Sequence, residues 1–212
     1  MEFPVTVHRA RLGPQEFKVV RPARPPEHAV LLDDGWFLNA YLDEAAARLM
    51  AGLWRLAATS PRSLIHLPLR RGAGTGAAAG TSEAGARPLD LVLLHHSLQF
   101  APSRWKELRG RLGPGLRRSV TVPASDPETG HAALHHAENR DLFHQHLHAE
   151  TLFVTGSAKV FRETAGAFRE VADHGPRHAR DGSPGGHYCA RLGSGDDGAR
   201  DIHIEYSDAR EP

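Results

Sequence analysis

The chain has 212 residues, 40% hydrophobic and 24% charged, with a formal net charge of +1. That length suits one domain with a core of its own, and the near-neutral balance excludes a strongly basic nucleic-acid-binding surface. A single cysteine, Cys189, excludes an internal disulfide and an all-cysteine zinc site, and no apolar run approaches the ~18 residues that span a bilayer.

The start, Met1-Glu2-Phe3-Pro4, lacks the basic-then-apolar order of a secretory leader, so a cytoplasmic protein is expected. Among the 26 lysines and arginines only Lys18, Lys106 and Lys159 are lysines, a bias expected of a GC-rich bacterial genome. Arginine abundance is therefore no sign of phosphate recognition by itself, although the side chain suits it.

In chain order, Pro4–His8 and Phe17–Val20 alternate as a hairpin, with Gly13-Pro14 in its turn. Ala29–Leu32 reads as a strand. A helix follows over about 41–58, with Leu42, Ala46, Leu49, Leu53 and Leu56 on one stripe and Asn39 as its cap. Ser63–Leu67 reads as a strand. Residues 71–88 hold many glycines and no large apolar side chain, and are expected to form a flexible loop.

Leu89–Leu94 opens a second strand–helix–strand unit, with a short helix carrying Trp105, Leu108 and Leu112 and then the strand Ser119–Val122. His131–Leu147 reads as a further helix with a poor stripe. Thr151–Val154 opens the third unit. Its helix is capped by Ser157, carries Phe161, Ala165, Phe168 and Ala172, and is expected to stop at Gly175-Pro176. Strands over 186–190 and 201–206 complete the pattern, and the chain is expected to fray from about residue 207.

Apolar runs alternating with helical periods predict a single α/β (or α+β) domain over residues 1–212. Its mixed, partly parallel sheet has about six to eight strands, covered by three or four helices.

Ligands in such sheets collect beyond the carboxyl ends of strands. The three leading strands end on Asp33-Asp34, His95-His96-Ser97 and Thr155-Gly156-Ser157. Convergence of these tips would make His95 or His96 a base, Asp33 or Asp34 its orienting acid, and Gly156-Ser157 an anion-binding helix start. Neither Ser97 nor Ser157 is flanked by the glycines of a nucleophile elbow.

The densest imidazole–carboxylate cluster is His131, His135, His136, His144, His146, His148 and Glu150, types that suit a divalent metal. On a helix His144 and His148 form an i,i+4 pair. On a strand His144, His146 and His148 share one face. His144-x-His146-x3-Glu150, followed by Gly156, resembles the first metal motif of the cupins, which implies a β-barrel holding a divalent metal at His144, His146 and Glu150. The motif's preceding glycine is missing, the spacing to Gly156 is one residue short, and a helical period follows Ser157.

No dinucleotide or P-loop fingerprint is present. The expectation is a small stand-alone bacterial enzyme doing cofactor-independent acid–base chemistry, such as cyclisation, dehydration or hydrolysis, on a small-molecule substrate, with a biosynthetic role. A metal-dependent enzyme using residues 131–150 is one alternative. A non-catalytic accessory protein is another. Its basic run Arg104, Arg109, Arg111, Arg117 and Arg118 would dock an acidic carrier protein, or the chain would form a homodimer. Neither nucleic acid nor membrane is an expected partner.

Overall fold

A computed structural model of the protein describes residues 1–71, 85–123, 143–181, 188–193 and 200–207. Most of the glycine-rich segment, the histidines His131, His135 and His136, and the chain end beyond 207 lie outside the described residues.

The elements in chain order are β1 (Glu2–Leu12), β2 (Gln15–Pro22), β3 (Ala29–Asp33), β4 (Leu38–Leu42), α1 (Glu44–Thr59), β5 (Ser63–Leu67), β6 (Arg87–Pro88) and β7 (Asp90–His95). Then come α2 (Trp105–Gly110), β8 (Leu116–Thr121), β9 (His144–His148), β10 (Thr151–Gly156), α3 (Ala158–Arg180), β11 (Cys189–Leu192) and β12 (Ile202–Tyr206). The fold is mixed α/β, with two sheets. The larger has the order β8-β1-β2-β5-β7-β10-β9, and the smaller β11-β12-β4-β3-β6. The pairs β2/β5, β7/β10 and β12/β4 are parallel, and the remaining pairs antiparallel. No helix among the described residues is long and apolar enough to cross a membrane.

Strands β5, β7 and β10 are apolar at successive positions, so both faces of the larger sheet need cover. On one face Ile65, Leu67, Leu91, Leu93, Leu152 and Val154 meet α1, α3 and one face of the smaller sheet in a single core. Trp54 of α1 packs on Phe161 and Phe168 of α3 there. On the other face Val19, Leu64, Val92, Leu94 and Phe153 meet Phe100, Trp105 and Leu108. The α2 segment thus caps the second face.

Three expectations need correction. Residues 38–42 form strand β4 rather than a cap and first helical turn, because Leu38, Ala40 and Leu42 alternate onto the core. Helix α1 begins at Glu44, and Asp43, not Asn39, caps it by accepting from the Ala46 N–H at 2.7 Å. Residues 144–148 are strand β9, not helix, since pairing with β10 satisfies the backbone and Leu147 packs on the core. Helix α3 runs past Gly175-Pro176 to Arg180, and its last turn keeps the Asp181 N–H to Arg177 O bond at 3.0 Å.

Packing explains why the helix survives this break. The Tyr206 ring lies so close to Gly175 that an added Cβ would stand 2.4 Å from Cγ. Gly175→Ala is expected to cost about 1–3 kcal/mol by overpacking. Gly166→Ala, in the same helix with nothing within 4 Å, is expected to gain about 0.5–1 kcal/mol. Urea unfolding midpoints check the pair, and shifts of the same sign would contradict the assignment.

Candidate functional site

The second face of the larger sheet does not stay apolar to its end. Side chains alternate along a strand, so Arg21 follows Val19 on this face, His66 follows Leu64, and Asp90 precedes Val92. Register sets how they neighbour one another. Val20 stands beside Ile65 in the parallel pair, and His66 stands opposite Val92 in the antiparallel one. Arg21 thus stands beside His66, and Asp90, two residues from Val92 on the same face, lies diagonal to His66, so arginine, imidazole and carboxylate from three strands gather near the carboxyl ends of the parallel pair β2/β5. That is where open sheets hold ligands.

These residues, with Pro68, Arg70 and Arg109, line a cavity of about 620 Å³. The volume is that of a small-molecule site. His66 and Asp90 are buried, 2% and 6% exposed. Nε of Arg21 donates to Nδ1 of His66 at 2.9 Å. Arginine only donates, so Nδ1 offers its lone pair and the ring proton sits on Nε2. The His66 ring meets the Trp105 ring edge-on at 4.9 Å, which fixes its plane. Oδ1 of Asp90 accepts the Arg70 backbone N–H at 3.1 Å, and Oδ2 lies 3.7 Å from Nη1 of Arg109. Among the described residues, three arginines and one carboxylate therefore line the cavity. Nε of Arg70 is buried without a hydrogen-bond partner among the described residues. In a second hollow of about 390 Å³, between α1 and α3, Arg48 bridges Glu44 and Asp173 at 3.1 and 3.0 Å.

The structure brings some of the sequence-predicted groups together and separates others. His95 and Gly156 are register partners at the carboxyl ends of β7 and β10. The His95 and His96 rings are 4.4 Å apart. Nδ1 of His95 accepts the Ser97 N–H at 3.2 Å and lies 2.8 Å from Ser97 Oγ. Burial, and then repulsion from His96, hold the His95 pKa below the ordinary value. Ser157 Oγ accepts the Val160 N–H at 3.2 Å, and an added Cβ on Gly156 would meet Val160 at 2.6 Å and Phe143 at 2.9 Å. The start of α3 is thus capped by Ser157 and packed by Val160 and Phe143.

Asp33 and Asp34 sit elsewhere. Asp33 is the register partner of Arg87, just ahead of the first residue of β7, while His95 closes that six-residue strand about 17 Å further on. Asp33 is buried between Arg87, at 2.8 Å, and Arg200, and accepts the Gly35 N–H at 3.0 Å. Oδ1 of Asp34 accepts the Trp36 and Phe37 N–H groups, and Oδ2 accepts from Asn39. Both carboxylates hold the β3–β4 turn.

On β9, His144, His146 and His148 share one face, with the last two rings stacked at 6.3 Å. Glu150 turns away to Arg70, at 2.7 Å. Among the described residues no group of three or more His, Cys, Asp or Glu is placed to hold a metal ion. Among the described residues, the strand that resembles the cupin motif is the edge of an open sheet, followed by β10 and then α3, not part of a barrel. Of the basic run, Arg104 and Arg111 pair with Glu107 of their own segment.

The sequence reading named Arg109 but not Arg21, His66, Arg70 or Asp90 as functional. One signal was available: a histidine inside the otherwise apolar Leu64-Ile-His-Leu67, and an aspartate inside Leu89-Asp-Leu-Val. Polar groups in strands buried on both faces need partners. No protein-family model, no curated protein and no solved structure matches the chain.

Asp33 gives a pH-dependent prediction. Burial raises its pKa, but hydrogen bonds from Arg200, Gly35 and Arg87 outweigh this and leave it below the ordinary 3.8. Its stabilising contribution is therefore full above about pH 4 and is lost as pH falls through the lower folded value. Asp33→Asn is expected to lose about 2 kcal/mol at pH 7, with the gap to wild type closing in acid. Denaturant unfolding at pH 7 and pH 3 checks this, and a gap that widens in acid would contradict it.

Proposed function

We propose that the protein is a small enzyme that binds an anionic metabolite in the cavity lined by Arg21, His66, Arg70, Asp90 and Arg109, and acts on it by acid–base chemistry. The observation that carries this reading is the convergence of three arginines on a cavity with, among the described residues, a single lining carboxylate. Guanidinium groups match phosphate and carboxylate oxygens in a planar fork, and a half-enclosed site strengthens the pairing over that in water. The titratable groups of the wall, Asp90 and His66, are the candidates for moving the proton. Cyclisation, dehydration and hydrolysis all fit this equipment without a redox cofactor. The cytoplasmic setting and the biosynthetic role belong to the same proposal.

Calorimetric titration with inorganic phosphate and with acetate tests the cavity. Wild type is expected to bind at least one of them, and Arg109→Ala to weaken that binding about tenfold, the scale of one charge-assisted hydrogen bond. Absence of binding, or an unchanged affinity in Arg109→Ala, overturns the reading.

A second reading keeps His95 as the base, with His96 beside it. The contact between Ser97 Oγ and the depressed imidazole favours it, because an unprotonated ring 2.8 Å from a hydroxyl can take its proton. Hydrolysis of an activated ester, lost in both His95→Ala and Ser97→Ala with unfolding midpoints unchanged, would support this site over the cavity. The reading in which His144, His146 and His148 hold a divalent metal is tested by metal analysis of untagged protein.

A further inference from the structure

We propose that Glu150 is the internal counter-anion of the arginine cavity, and that an anionic ligand binds by taking its place on Arg70. The inference rests on the anion-site reading of the cavity.

The β9–β10 turn is unusual. Ala149 has φ +46° and Glu150 φ +58°, two successive left-handed residues. A two-residue hairpin turn of this hand favours Asn-Gly, because Cβ crowds the backbone there. Neither residue is glycine or asparagine, so other contacts must hold the turn, and Glu150 supplies them. Its carbonyl accepts the Asp90 N–H at 3.0 Å, and its carboxylate reaches Nη2 of Arg70 at 2.7 Å. Arg70 and Asp90 both line the cavity, and Asp90 accepts the Arg70 N–H. Turn and wall therefore form one closed circuit of contacts through Glu150. Backbone held in sparsely populated regions clusters at functional sites, where the surroundings over-determine it.

The carboxylate is also replaceable. The Glu150 side chain is 62% exposed and can return to water, whereas that of Arg70 is 34% exposed and stays in the wall. With Glu150 seated, Nη2 of Arg70 is occupied while Nε of the same group is buried with no acceptor among the described residues. A phosphate or carboxylate reaching Arg70 from inside the cavity would satisfy Nε and compete for Nη2. Glu150 then sets how strongly an anion must bind to enter, which makes it an affinity- and specificity-determining residue.

Phosphate titration at fixed ionic strength tests this. Glu150→Gln keeps the side chain's shape and removes the charge, and is expected to bind inorganic phosphate about fivefold more tightly than wild type, the scale of one exposed ion pair. In an Arg70→Ala background the same substitution is expected to change nothing. Saturating phosphate is expected to speed amide exchange at residues 149 and 150 in wild type, as the turn loses its anchor. Equal or weaker binding by Glu150→Gln overturns the counter-anion role and leaves the cavity reading standing. No binding to either form overturns both. Ala149→Gly relaxes the turn without touching charge, and a gain in phosphate affinity equal to that of Glu150→Gln would assign the effect to the backbone and overturn the proposal.

Discussion

The structure depends on one constraint: the central strands of the larger sheet are apolar on both faces, so both faces must be roofed. The first roof is large. Helices α1 and α3 and one face of the smaller sheet close over Ile65, Leu91, Leu93 and Leu152. The second is short, a small helix that contributes Trp105 and Leu108. A short roof over a long sheet leaves an end uncovered. There the strand pattern changes from Val19, Leu64 and Val92 to Arg21, His66 and Asp90, and the cavity lies at that change. The candidate site follows from incomplete cover of an otherwise buried sheet.

The same geometry sets the chemistry available. Buried imidazole and carboxylate groups are costly unless partnered, and each has one close by, Arg21 for His66 and the Arg70 backbone N–H for Asp90. Arginine from β2 and from the segment after β5, together with Arg109 of α2, brings more positive charge to the wall than Asp90 balances. Glu150 supplies the balance from outside. The local electrostatics is therefore a set of fixed cations with one exchangeable anion, on a protein whose net charge is only +1.

Much of this was readable in advance. Alternation in β2, short apolar runs in β5, β7 and β10, and helical stripes in the bodies of α1 and α3 located these elements within a few residues. The misreadings share a cause. The Asn39 cap, the helix over 144–147 and the stop at Gly175-Pro176 were inferred from local chemistry, and in each case tertiary contact outweighed it: β4 completing the smaller sheet, β9 pairing with β10, and Tyr206 closing on Gly175. The proposed meeting of strand tips was half legible. His95 and Gly156 do adjoin, because β7 and β10 are parallel neighbours. Asp33 does not join them, because β3 belongs to the other sheet and pairs with β6, which precedes β7 at the end away from His95.

By itself the sequence determined the class of the fold, since hydrophobic spacing is a property of neighbouring residues and survives without coordinates. It also fixed the presence of histidine and aspartate inside apolar strands. Only the tertiary structure decided which of them share a site, because that depends on strand order and on register, and a shift of one residue would send His66 to the opposite face. Arg21, His66, Arg70, Asp90 and Arg109 are spread over 89 positions of the chain, and no local pattern links them. Their meeting is a consequence of how β2, β5 and β7 pair.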